Sequence, residues 1–128
     1  MTFEELHPVF RGLGIELEQT NPYKVAYESV REAHGFAQAG GVAGAVKAYL
    51  GPKAANIKML QFSDFNKKNI GVLRAYAKTG KVDAQFIEMM ACEGGCVTGP
   101  STHNDSMSGK RQLNQDLLKR TLTYENEE

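Results

Sequence analysis

The feature that most constrains the fold is the run Ala84-Gln85-Phe86-Ile87-Glu88-Met89-Met90-Ala91, nearly continuous in apolar residues and too short for a buried helix. Strands covered on both faces have this length and composition, and such strands occur mainly in parallel sheets. A second apolar run, Ile57, Met59, Leu60 and Phe62, precedes it, and Ser63-Asp64 then offers a helix cap before a helical stretch over residues 65–79 that Gly80 ends. Strand, helix, strand in this order predicts a right-handed parallel crossover. One unit earlier, a short apolar piece over 34–38 runs into Gly40-Gly41 and a helix over 42–50 that Gly51-Pro52 stops. The expected fold class is therefore α/β: a single lobe with a small, mainly parallel sheet of three to four strands, near 34–38, 57–62 and 84–90, flanked by helices. With 128 residues, including 5 Tyr, 6 Phe and 5 Met, the chain has the size of one domain, 1–128, and is expected to bury its core without metal.

The flanks read less regularly. Leu6, Val9, Phe10 and Leu13 have helical spacing, but Pro8 predicts a break there. Ile15 and Leu17 alternate with Glu16 and Glu18 as in a half-buried strand, and Asn21-Pro22 opens a helix carrying Tyr23, Ala26, Tyr27 and Val30. After Cys96 the chain reads as a loop through Gly109. Leu113, Leu117, Leu118 and Leu122 mark a last amphipathic helix over 112–123, and 125–128 form an acidic tail.

Charge excludes some partners. Lys plus Arg and Asp plus Glu are each 15, so no net field draws the chain to nucleic acid or to an anionic membrane. No apolar run approaches the roughly 20 residues of a membrane span, no signal pattern opens the chain, and a cytoplasmic location is expected. In that compartment a close cysteine pair is more often metal-binding or redox-active than a structural staple.

Cys92 and Cys96, the 2 cysteines of the chain, stand just beyond the apolar run. This places them at the carboxyl edge of the expected sheet, where open parallel sheets bind ligands. Gly94 and Gly95 between them allow positive φ and close backbone approach, so amide groups can turn toward sulfur. As a bare pattern, C-x-x-x-C leaves several readings open. One is a small zinc- or iron-binding module in which Cys92 and Cys96 join His103 and another histidine. Another is a redox dithiol, although those favour C-x-x-C at a helix start.

The surrounding residues are more specific. Phe86-Ile87-Glu88-Met89-Met90-Ala91-Cys92-Glu93-Gly94-Gly95-Cys96-Val97-Thr98-Gly99 resembles the third cysteine signature of the iron-only hydrogenases, and Gly35 to Val46 resembles that family's Gly-Gly-Val strand-to-helix segment. The resemblance covers residues 34–99, with 1–33 as a flank and 100–128 as loop and final helix. It implies the C-terminal lobe of the catalytic domain of an enzyme that interconverts protons and electrons with hydrogen. The family's cofactor is the H-cluster, a 4Fe-4S cluster joined through one cysteine sulfur to a di-iron subcluster with carbon monoxide, cyanide and dithiolate ligands. By resemblance Cys92 ligates the cubane, Cys96 bridges the two iron units, and Met90, Phe36, Gly40 and Gly41 line the pocket. The remainder of the catalytic domain and a redox partner such as ferredoxin are the implied partners.

Two departures stand out. Where the family has a glycine run followed by Gln-Pro, this chain has Gly99-Pro100-Ser101-Thr102-His103, and the family's first two cysteine signatures have no counterpart in it. A cubane takes four thiolates, so the expectation is a lobe that is inactive and holds no cluster when alone. A homodimer pooling its cysteines, or a non-catalytic relative used in iron-sulfur assembly or sensing, stays open at this point.

Overall fold

The computed structural model describes residues 1–23 and 29–124. Its elements run α1 (Phe3–Gly12), α2 (Arg31–His34), α3 (Gly41–Leu50), β1 (Met59–Phe62), α4 (Lys67–Thr79), β2 (Phe86–Met89) and α5 (Ser106–Lys119), with 3-10 turns between several of them. The strands pair in parallel, Met59 opposite Phe86 and Phe62 opposite Met89, with α4 as the crossover. The mixed α/β class with a parallel sheet is therefore the observed one.

The sheet has two strands among the described residues rather than three to four. Residues 34–38 do not join it: His34 ends α2 and Gly35–Ala37 form a 3-10 turn. The reason lies in Gly35 and Gly41. A Cβ on Gly41 would run into the Gly35 carbonyl, so these backbones touch where an extended strand would have carried them apart.

Other boundaries moved for local reasons. Despite Pro8, α1 is unbroken, because a Thr2–Glu5 capping box secures its start and proline removes one N–H without removing the rest of the ladder. Leu17–Gln19 is a 3-10 turn, not a strand. The expected helix carrying Ala26 and Tyr27, and the tail 125–128, lie outside the described residues.

The last helix starts at Ser106, well before the expected residue 112, because Asp105 caps it by accepting from the Met107 and Ser108 N–H groups, both at 3.0 Å. Hydrogen bonds from Ser108 hold the Asp105 carboxyl below its ordinary value of 3.8. A depressed carboxylate contributes stability above its unfolded pKa and loses it as pH falls through the folded one. The α5 helix signal should therefore weaken on acidification below about pH 4, and Asp105→Asn, followed by circular dichroism, should remove that acid dependence.

The core is thin among the described residues. Among the described residues the buried hydrophobic ones are Val30, Ala43 and Ala45, while Phe3, Leu13, Leu17, Phe65 and Leu118 are exposed. The two-stranded sheet leaves Phe3 and Val9 of α1 and Met107 and Leu118 of α5 exposed.

Candidate functional site

β2 ends at Met89, and the Met90 N–H still donates to the Phe62 carbonyl at 2.8 Å. The chain then coils through tight turns. Gly95 N–H donates to Cys92 O at 3.0 Å, Thr98 N–H to Gly95 O at 3.1 Å and Gly99 N–H to Cys96 O at 3.0 Å. The Thr98 hydroxyl adds a bond to Gly95 O at 3.0 Å and another to Glu93 O.

Both cysteines are free thiols, Cys92 half-buried and Cys96 exposed. Cys92 Sγ lies so close to Gly99 that a Cβ there would stand 3.2 Å from it.

The double glycine between the thiols is required by contact as well as by φ. Gly94 and Gly95 have φ of 81° and 101°. A Cβ on Gly95 would stand 2.6 Å from Ala37 O, Ala39 N and Gln38 Cα, and Ala39 N–H donates to Gly94 O at 3.0 Å. The cysteine turn is thus interlocked with the backbone of residues 37–39. Gly95→Ala should destabilise the assembled domain by about 1–3 kcal/mol from backbone strain alone, with the clash in addition, measurable by urea unfolding.

Glu88 secures that segment from beneath. Buried to 4% exposure in β2, it accepts the Gly40 N–H with Oε1 and the Ala43 N–H with Oε2, both at 2.9 Å. These are orphan amides at the start of α3, where a carboxylate also suits the helix dipole. The role seen for Glu88 is therefore hydrogen bonding to the start of α3. Through Gly40, which sits in the left-handed region at φ 87°, it anchors the segment that grips the cysteine turn.

The clefts beside the two thiols differ. Cys96 lines one of about 480 Å³ with Phe3, Ala37, Val97, Thr102, His103 and Asn104. The start of α1 closes it: His103 Nε2–H donates to Phe3 O at 2.9 Å, and the His7 and His103 rings meet edge-on at 5.3 Å. Cys92 faces another cleft of about 480 Å³ whose lining includes Thr98, Gly99, Ser106 and Lys110.

Gly40 is tied to β2 through Glu88 and its neighbour Ala39 to the cysteine turn through Gly94 O, the Gly41 N–H donates to Gln38 O, and Phe36 and Met90 line neither cleft. Phe36 is 45% exposed on its 3-10 turn. Among the described residues no three His, Cys, Asp or Glu side chains converge as a metal-ligand group, so the donor set of Cys92, Cys96, His103 and a second histidine is not assembled. Lys110, Ala37 and the α1 contact escaped sequence reasoning, because none stands at a recognisable spacing from the cysteines.

These elements define a small parallel α/β lobe that presents two free thiols on a glycine turn. The chain belongs to a known family: the model for the iron only hydrogenase large subunit, C-terminal domain, matches residues 1–100. That match extends the region of resemblance to the N-terminus and leaves 101–128 outside it. No curated protein matches the chain. Among the described residues no helix is long and apolar enough to cross a membrane.

Proposed function

We propose that this chain is one lobe, 1–128, of an iron-only hydrogenase catalytic domain, and that Cys92 and Cys96 supply two of the four thiolates of its 4Fe-4S unit. The observation that carries the reading is the pair of free thiols on a turn locked by Gly94 and Gly95, in a chain whose family match spans that turn. The donor chemistry fits half of a cubane's demand, and the turn holds both thiols without pairing them in a disulfide. When bound, the whole cofactor would supply the reversible reduction of protons to hydrogen.

Each part of the chain has a role in this reading. Cys92 and Cys96 bind, Cys96 also bridging to the di-iron subcluster. Gly94 and Gly95 set the separation of the thiols, and Glu88 and Gly40 hold the segment that braces them. Met90, Phe36 and Gly41 belong to the surface that closes over the di-iron side once the remaining lobe is present.

The other two thiolates come from the remainder of the catalytic domain. Phe3, Leu13, Leu17, Phe65 and Leu118 stand exposed, and that apolar surface supports an absent partner. Electrons reach the assembled enzyme from a ferredoxin-like donor in the cytoplasm. Alone, the chain has neither hydrogenase activity nor a stable cluster.

Anaerobic reconstitution with iron and sulfide tests this. After desalting, the isolated chain should retain well under the four irons of a cubane and evolve no hydrogen from reduced viologen. The chain combined with the rest of its catalytic domain should retain a full cluster. A monomer of this chain that keeps a whole cubane would overturn the reading, and a homodimer that does so would replace the partner lobe by a second copy.

A further inference from the structure

The two thiols share a turn but not a space. Cys96 opens on a cleft of about 260 Å³ with Thr2, Phe3, Leu6 and Pro100, and also on the cleft that it shares with Phe3 and His103. Cys92 lines neither of these, and Cys96 does not line the cleft of Cys92. The bend over 99–103 makes the partition. Gly99 touches both cysteines: its N–H donates to Cys96 O at 3.0 Å, and a Cβ on it would stand 3.2 Å from Cys92 Sγ. Pro100 lines both the Cys92 cleft and the smaller Cys96 cleft.

This bend is strained and is held from outside. Ser101 stands at φ 64°, the positive-φ position among the described residues that is not a glycine. Left-handed backbone at a residue with a side chain persists only where surrounding contacts hold it. One such contact is the Thr102 hydroxyl, which donates to Gly99 O at 2.8 Å. The others come from the start of α1, through the His103–Phe3 hydrogen bond at 2.9 Å and the His7–His103 ring contact. No residue of α1 is buried, so this helix lies over the cysteine loop without belonging to the core.

We infer that α1 and the 99–103 bend form a strap that keeps Cys92 and Cys96 in separate clefts, and that both thiols can bind one thiophilic atom only once this strap has swung off. Its purpose rests on the proposed function: a lobe awaiting its partner keeps its two ligands divided, so a stray soft metal meets one thiol rather than two. The turn that carries the thiols stays as it is, and what moves is the wall between them. Release uncovers no core residue of α1 and returns Ser101 to an ordinary backbone region, so it belongs to the low-energy openings of the fold. The strap is built from Gly99-Pro100-Ser101-Thr102-His103, the stretch in which this chain departs from the family pattern.

The probe is phenylarsine oxide, whose single arsenic takes two thiols. Two arsenic–sulfur bonds form, the arsenic–oxygen bond breaks, and both thiol protons leave with that oxygen as water, with no change of oxidation state. In the reduced full chain, capture followed by mass spectrometry should be slower by about tenfold or more than in the same chain unfolded in urea, because only the open fraction reacts. Hydrogen exchange should show the α1 amides losing protection in the adduct. His103→Ala cuts the tie to Phe3, and Ser101→Val places a branched side chain where positive φ is costlier. Each should speed capture by about threefold to tenfold with helix content kept. Iodoacetamide, which needs one thiol at a time, should alkylate the exposed Cys96 at the same rate in all these proteins. An adduct whose α1 is as protected as in the free chain would overturn the inference, as would capture equally fast with and without urea. Slow capture that neither folded variant speeds would overturn it too. Should a variant lose its helix content, the two measurements on the unsubstituted chain decide. None of these outcomes involves iron, so the proposed function stands or falls separately, on cluster uptake by the complete protein.

Discussion

Replacing Cys92 or Cys96 by Ala in the complete, reconstituted protein is expected to abolish cluster retention, with iron falling to background and hydrogen evolution lost. The two thiols are set on one turn by three backbone hydrogen bonds and two positive-φ glycines, so neither can be replaced by a neighbouring donor. Among the described residues no third ligand stands ready nearby. An iron corner without its thiolate is open to water and oxidation, and a cubane needs all four corners held. Met90→Leu is the matching control, expected to leave the iron of the cubane in place and to alter only the signals of the di-iron unit. Full iron content in either Cys variant would show that the thiols are not ligands.

Glu88→Ala is expected to destabilise the assembled domain by about 2–4 kcal/mol, because two charge-assisted hydrogen bonds vanish and leave helix-start amides unpaired in the interior. In a lobe whose buried hydrophobic residues, among those described, are Val30, Ala43 and Ala45, that loss is severe. The segment 37–40 would come free of β2, and with it the brace on the cysteine turn. Glu88→Gln keeps one acceptor and sets an amide NH2 against the other N–H, so it should fall between. Urea unfolding measures the stability, and iron retention of the folded fraction reads the brace. A Glu88→Ala protein as stable as the unsubstituted one would refute this account of the carboxylate.

The outcome for the local elements follows how far each depends on distant residues. The two strands and the helices α3 and α4 were legible because their signals are local: short apolar runs, a cap at Asn66 close to the expected Ser63-Asp64, and stop glycines at Gly51 and Gly80. Pro8 misled because a capping box outweighed a single missing N–H. The strand expected over 34–38 failed because contact between Gly35 and Gly41 is a packing event that no window of sequence contains.

The residues of the cysteine signature determined by themselves the family, the parallel α/β class and the candidate ligands Cys92 and Cys96, since thiols, glycines and an apolar run carry their chemistry in their identity and spacing. Only the tertiary structure decided what surrounds them. Glu88 meets Gly40 and Ala43 across more than forty residues, Gly95 interlocks with 37–39, and Lys110 reaches Gly94 from a helix outside the family match. These contacts arise from chain reversals that bring distant backbone within hydrogen-bond range. At Gly95 the cause is the packing of glycine against backbone, where the absence of a side chain matters and leaves no periodic mark in the sequence.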